Sequence, residues 1–342
     1  MQLGKRKIST ETSPLVVAEL GINHGGCIKT AMSMVKLAAE SGCECIKHQT
    51  HIVSDEMTEE AKLVYPPNAE ISIWEVIDRC ALSLDDEIAL KNYTESLGLI
   101  YISTPFSRKA ADFLDDIGIC AFKIGSGEVD NIPLVNHIAS FKKPIIMSTG
   151  MQNINSLTNS TKIIEKHDIS YALLECTSAY PAKPETIFLR SIGELKERFP
   201  KSIVGFSDHS IGPTMAIAAT ALGAKIIEKH FTDSKYRKGP DIICSMDPSE
   251  LRYLIDKCTE VHNALKRDKV RTTEESEVYK FARSSVVAER EIKKGHIITN
   301  DDIWTRRPGN GPIAAADYQK LLGKKAKKNI LKNQQLDWSD FF

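Results

Sequence analysis

The sequence predicts a (β/α)8 TIM barrel followed by a small β-rich domain. Eight short runs rich in Val and Ile recur through the first 231 residues, each ending in polar residues and each followed by a helix-like stretch. The runs are apolar almost throughout, as strands covered on both faces are, instead of alternating. No glycine-rich turn follows the first run, so a doubly wound open sheet fits less well than a closed barrel.

The strand-like runs fall at 15–23 (LVVAELGIN), 43–50 (CECIKHQT), 99–105 (LIYISTP), 119–126 (ICAFKIGS), 144–150 (PIIMSTG), 171–178 (YALLECTS), 202–209 (SIVGFSDH) and 224–231 (AKIIEKHF). Between them, 30–40 spaces Met34, Val35, Ala38 and Ala39 on one helical face and stops at Gly42. Residues 107–116 repeat the pattern before Gly118, and 213–222 enters on Pro213 and stops at Gly223. The connection over 51–98 is too long for a plain loop, so it is expected to be functional or to hold short elements of its own. A last helix at 248–265 completes the barrel domain, 1–266. The charged stretch that follows reads as a linker, 267–282, and 283–342, with its Arg-Pro-Gly-Asn-Gly turn, as the second domain.

Composition limits the function. Of 342 residues 42% are hydrophobic and 26% charged, with 45 basic against 45 acidic side chains, so the chain is globular and no nucleic-acid partner is indicated. No apolar run is long enough to span a bilayer and no signal pattern opens the chain, so no membrane partner and a cytoplasmic location are expected. Charge is uneven: 283–342 holds 12 basic and 7 acidic residues, the pattern of a docking surface or of a solvated lysine-rich face. The eight cysteines include no C-x-x-C and read as reduced, mostly buried thiols, with Cys43 and Cys45 placed on one side of a strand by alternation.

Polar residues gather where a barrel keeps its chemistry, at the C-terminal ends of the runs. They are Glu19 with Asn23 and His24, Lys47 with Gln49, Thr104, Lys123 with Ser126 and Glu128, Ser148, Ser178 with Tyr180, Ser207 with His209, and His230. Lys47 and Lys123 interrupt apolar strands and need an anion, either internal carboxylates such as Glu19 and Glu128 or a ligand. The serine hydroxyls nearby suit a phosphate or phosphate-plus-carboxylate ligand. His209 and His230 end neighbouring strands, about 4.8 Å apart, and two imidazoles suggest an open site for Mn²⁺, Mg²⁺ or Fe²⁺. His24, His48, His51 and His167 have no comparable company and read as structural.

The motifs also carry a resemblance. Residues 19–26 (ELGINHGG), 46–50 (IKHQT), 103–106 (STPF), 123–128 (KIGSGE), 148–151 (STGM), 205–210 (GFSDHS), 228–232 (EKHFT), 239–241 (GPD) and 307–311 (RPGNG) match, in order, the motif series of the sialic acid synthases. The chain resembles that family over its whole length, with the last 60 residues similar to its antifreeze-like (SAF) domain. The resemblance implies an N-acetylneuraminate synthase, which condenses phosphoenolpyruvate with N-acetylmannosamine or a similar N-acetylhexosamine to a nine-carbon 2-keto acid and phosphate. It implies phosphoenolpyruvate binding by Lys47, Thr104, Lys123, Ser126, Ser148, Ser178, Ser207 and His209, and a divalent metal, Mn²⁺ or Mg²⁺, on His209 and His230. Glu19, Gln49, Asn68, Phe106, Glu128, Tyr180 and Asp241 would line the sugar site, with Phe281 and Arg307 supplied by the second domain of a domain-swapped homodimer. Glu19, Glu128, His209 and His230 are the catalytic candidates, either glutamate being able to activate water.

Three departures blur the sugar: lysine at 183 in Tyr180-Pro-Ala-Lys183, serine at 178, and no histidine after Asp241 in Gly239-Pro-Asp-Ile242. A 6-deoxy-diacetamido hexose leading to legionaminic or pseudaminic acid is the alternative substrate. Two other classes remain: a Schiff-base aldolase using Lys47 or Lys123 as the amine, and a non-catalytic sugar-phosphate binder.

Overall fold

The chain opens with a hairpin, β1 (Gln2–Leu3) and β2 (Arg6–Lys7), and then enters a closed barrel of eight parallel strands. These are β3 (Leu15–Glu19), β4 (Cys45–Thr50), β5 (Ile100–Pro105), β6 (Phe122–Ile124), β7 (Ile145–Ser148), β8 (Tyr171–Cys176), β9 (Ile203–Asp208) and β10 (Ile226–His230). Closure is made by β10, which pairs with β9 on one side and with β3 on the other, Glu19 facing both His230 and Lys47 in register. In this computed structural model every residue is described except Pro67 and Asn68. Each of the eight sequence runs contains one strand. The strands are shorter than the runs, trimmed at the start, the end or both.

The outer helices are α1 (Ile28–Glu40), α2 (Val53–Glu56), α3 (Ile73–Cys80), α4 (Leu84–Ser96), α5 (Arg108–Asp116), α6 (Ile132–Ser140), α7 (Leu157–Lys166), α8 (Ser191–Arg198), α9 (Thr214–Ala221) and α10 (Pro248–Ala264). Their starts follow local chemistry. Ser107 caps α5 by accepting from the Ala110 amide, and Asp247 with Glu250 closes a capping box before Pro248 of α10. The long connection after β4 is largely structured. It carries α2, α3 and α4, with Val53, Val76 and Ile77 packed around Ile22 as a small core of their own. No described helix is long and apolar enough to cross a membrane.

Period-two alternation separates two cores. Leu15, Val17, Cys45, Ile102, Ile146, Ala172, Leu174 and Ile226 fill the barrel interior, and Leu3 and Ile8, beside the opening hairpin, join them. Val16, Ala18, Ile46, Tyr101, Phe122, Met147, Leu173, Phe206 and Ile227 point outward against the helices. The expectation that Cys43 and Cys45 share a side is corrected by this division. The strand starts only at Cys45, so Cys43 lies in the turn before it and joins the outer core while Cys45 is inside. All eight cysteines are free thiols.

The chain divides into two units, Met1–Lys266 and Arg267–Phe342. The second begins with α11 (Ser276–Ala282), followed by an antiparallel pair, β11 (Ser285–Ala288) and β12 (Ile303–Arg306). Its core is Val286, Ala288, Ile292, Ile298, Ile303, Ile313, Leu321, Ala326, Ile330, Leu336 and Phe341. Asp302 ties this unit together: its buried carboxylate accepts from the Thr299 amide and hydroxyl at 2.7 Å, from Arg290 at 2.7 Å and from His296 at 2.8 Å. Burial alone would raise its pKa, but these donors hold it far below the usual carboxylate range. A carboxylate depressed in the folded state stabilises above its unfolded pKa of about 4 and loses that contribution as pH falls below it. Asp302→Asn should therefore cost this unit about 1–3 kcal/mol at neutral pH. In denaturation curves the gap to wild type should narrow below about pH 4; a gap independent of pH would contradict the assignment.

Candidate functional site

The alternation that fills the barrel with aliphatic residues puts polar ones on the same face at its C-terminal end. Glu19 follows Leu15 and Val17, Lys47 and Gln49 follow Cys45, Thr104 follows Ile102, and Lys123 follows Ala121. Ser148 follows Ile146, Cys176 follows Leu174, Ser207 follows Gly205, and Glu228 and His230 follow Ile226. Together they wall a cavity of about 320 Å³, which Phe106, Ser126, Ser178, Tyr180 and His209 also line.

Charges alternate across its floor. Lys47 Nζ lies 3.0 Å from Glu19 and 3.7 Å from Glu228, and Lys123 Nζ lies 3.5 Å from Glu228. Lys123 also donates to Ser148 Oγ at 2.6 Å, Lys47 to Thr104 at 3.3 Å, and Ser207 Oγ to Glu228 at 3.1 Å. The lysines thus do carry internal counterions, but the second is Glu228 and not Glu128. The two carboxylates are pushed apart. Burial, with the Glu228 charge, raises Glu19 against the pull of Lys47. Burial also works to raise Glu228, but Lys123, Lys47 and the Ser207 hydroxyl outweigh it and hold the group below its ordinary value. Burial, reinforced by the Lys47 charge, lowers Lys123, whereas for Lys47 the flanking glutamates overcome burial and raise it.

His209 and His230 stand side by side, ring centroids 5.4 Å apart, with the Tyr180 ring 4.2 Å from His209. His209 Nδ1 faces the Thr177 carbonyl at 2.9 Å, which as a donor contact leaves Nε2 as the nitrogen with a lone pair. For this ring burial acts downward, but the Cys176 sulfur and the Thr177 carbonyl outweigh it and raise its pKa. Burial and the neighbouring cations keep His230 neutral, and its Nδ1 is buried without a hydrogen-bond partner, 3.8 Å from Asp241. Two facing imidazoles, one with an orphaned nitrogen, fit a divalent cation. Among the described residues no third His, Cys, Asp or Glu completes a cage, so the protein could supply only an open two-histidine site.

Two glycines let backbone approach this machinery. Gly21 has φ of +52°, and a Cβ there would stand 3.2 Å from the His230 ring. Gly150 donates its amide to Ser126 Oγ at 3.0 Å, and a Cβ on it would enter the space that Ser126, Ser178 and Cys176 enclose.

The sequence-predicted residues divide into five groups. Glu19, Lys47, Gln49, Thr104, Phe106, Lys123, Ser126, Ser148, Ser178, Tyr180, Ser207, His209 and His230 line the one cavity. Asp241 joins through His230, and burial together with the Glu19 charge lifts its carboxyl to about 6. Glu128 stands off the wall on a 3-10 turn, half-buried and accepting from Asn131 at 2.6 Å. Phe281 and Arg307 are exposed residues of the second unit, and Asn68 lies outside the described residues. Sequence reasoning missed Glu228, Cys176 and Met151. It also left three histidines without company that have it: His24 meets His48 at 2.9 Å and His48 meets Glu87 at 2.9 Å outside the barrel wall, while His51 meets Glu56 at 2.8 Å.

Comparison with known proteins agrees with this architecture. The chain is 34% identical over 330 residues to the N,N'-diacetyllegionaminic acid synthase of Campylobacter jejuni, covering 94% of this chain and 98% of that one. It is 31% identical to human N-acetylneuraminate-9-phosphate synthase, covering 91% and 88% of the two chains. The crystal structure of N-acetylneuraminic acid synthetase from Leptospira borgpetersenii, in complex with citrate, superposes with a TM-score of 0.74 at 27% identity, covering 81% of this chain and 94% of that one. A SAF domain model matches residues 283–341, and the NeuB family model matches residues 34–270: the chain belongs to the NeuB family, the family of the sialic acid synthases.

Proposed function

We propose that the barrel condenses phosphoenolpyruvate with the aldehyde of N-acetylmannosamine, takes up water, and releases N-acetylneuraminate and phosphate. The observation that carries this reading is the pairing of two buried ammonium groups with a set of hydroxyls on one cavity wall and two imidazoles on the next. Phosphoenolpyruvate brings about three negative charges, which Lys47 and Lys123 can neutralise through charge-assisted hydrogen bonds. Thr104, Ser126, Ser148, Ser178 and Ser207 are the neutral donors. In the free enzyme Glu19 and Glu228 are the counterions, so the ligand competes with them for the lysines.

A divalent cation, Mn²⁺ or Mg²⁺, on His209 and His230 would supply Lewis acidity toward the aldehyde oxygen. The chain's own groups do the rest. Gln49, Phe106, Tyr180 and Asp241 orient the sugar so that C3 of phosphoenolpyruvate reaches the aldehyde carbon, an alignment that itself supplies much of the rate. Glu19, with Oε1 held by Gln49 at 2.8 Å and Oε2 3.0 Å from the Lys47 ammonium, is placed to carry the proton. Water adds at C2 and the tetrahedral product loses phosphate. Asn68, Glu128, Phe281 and Arg307 are assigned to the sugar on the resemblance alone, the last two within a homodimer.

The legionaminic acid synthases of Campylobacter jejuni and Legionella pneumophila, at 34% and 33% identity, support a second reading in which the sugar is a 6-deoxy-diacetamido hexose. Phosphate release from phosphoenolpyruvate against a panel of these sugars separates the two. We expect turnover with N-acetylmannosamine that EDTA abolishes and Mn²⁺ restores. Turnover only with the diacetamido sugar moves the assignment to the second reading, release with no sugar defeats both, and full activity in EDTA removes the metal.

A further inference from the structure

We propose that His51, just beyond the end of β4, is a positioning residue that holds the sugar-facing wall of the cavity in register. Its ring lies inside the protein, with a side chain only 3% exposed, and makes three directional contacts. Nδ1 meets Glu56 of α2 at 2.8 Å, and Nε2 meets the Gln49 side-chain carbonyl at 3.3 Å. The ring face stacks on Phe106 at 4.5 Å between centroids and only 10° from parallel.

Gln49 lies on β4 and Phe106 just past the end of β5, both line the cavity, and one imidazole touches both. Gln49 in turn donates to Glu19 Oε1 at 2.8 Å. The relay therefore runs Glu56, His51, Gln49, Glu19, from a helix outside the barrel to the carboxylate assigned the proton. Its polarity is fixed along its length. Because Gln49 gives its amide N–H to Glu19, it turns its oxygen to His51, so both ring nitrogens of His51 face acceptors. An amide that could flip would offer a sugar hydroxyl either a donor or an acceptor, and this chain of contacts removes that freedom.

The inference rests on the proposed reaction, and its test keeps the two apart. His51→Phe retains the stack on Phe106 and loses both hydrogen bonds; Glu56→Gln keeps the shape and weakens the anchor. We expect His51→Phe to raise KM for the sugar about tenfold, the worth of roughly one positioned hydrogen bond, with KM for phosphoenolpyruvate unchanged. Glu56→Gln should move the same constant in the same direction by less. Unchanged sugar kinetics in both variants, or equal rises in the two Michaelis constants, would overturn the assignment. If the wild type turns over none of the sugars, the reaction has failed and a crystal structure of the His51→Phe variant decides alone: Gln49 released from Glu19 supports the relay, and Gln49 still in place overturns it.

Discussion

Replacing Lys123 by methionine is expected to lower kcat/KM for phosphoenolpyruvate by about 10²- to 10³-fold, the usual consequence of truncating one partner of a buried charge pair. Lys123 is among the most deeply buried large side chains, and its ammonium meets Glu228 and Ser148 at the centre of the cavity. Methionine keeps most of the aliphatic length but offers nothing to an anion. The same change leaves Glu228 without one of the two ammonium groups that hold its charge, so its pKa moves up and the barrel loses stability. Calorimetric titration with phosphoenolpyruvate, beside a melting curve, separates the two effects. Wild-type affinity in a folded variant would remove Lys123 from the site. Its lowered pKa also suits an amine nucleophile, so borohydride trapping with pyruvate is the companion experiment: no adduct is expected, and an adduct on Lys123 would favour the Schiff-base aldolase.

Gly150→Ala should be nearly as damaging without touching a charged group. The added methyl would collide with Ser178 Oγ, stand 2.8 Å from Ser126 Oγ and 3.2 Å from Cys176 Sγ, and so fill the cradle where the anion is to bind. The residue does not have a positive φ, so the backbone accepts alanine and the injury stays local. Displacing two hydroxyls proposed to serve a charged ligand should weaken phosphoenolpyruvate binding by about 10²-fold or more. Native affinity for phosphoenolpyruvate would mean that Ser126 and Ser178 do not form the anion cradle.

Much of this site was legible because a parallel barrel translates sequence into space with two rules. Apolar runs give the strands, and the residues that end them give the active face. Lys47, Lys123, Ser148, His209 and His230 were readable on that basis. Glu228 was not, because it sits inside its run (IIEKHF) next to Lys229 and two residues before His230. The phase of the strand would have found it. Ile226, Glu228 and His230 share the inner face, while Lys229 points outward and pairs with Asp208 at 3.0 Å. Glu128, expected as a counterion of the lysines, is kept from that role for a related reason: β6 ends at Ile124, and the turn after it breaks the alternation that aims Lys123 inward. His51 lies one residue past its strand, where neither rule applies, and its partners Glu56 and Phe106 become neighbours only through folding. Phe281 and Arg307 follow no periodicity at all; only motif resemblance pointed to them.

The proposed chemistry makes one demand on every atom of the substrate: water adds at C2, and the bond between C2 and the bridging oxygen breaks. Phosphoenolpyruvate labelled with ¹⁸O at that bridging position, incubated with the enzyme, N-acetylmannosamine and Mn²⁺, tests it in a single mass measurement. The expected result is label in the released phosphate and unlabelled solvent oxygen at C2 of the nine-carbon product; label retained at C2 would mean cleavage at phosphorus and would contradict the condensation mechanism outright.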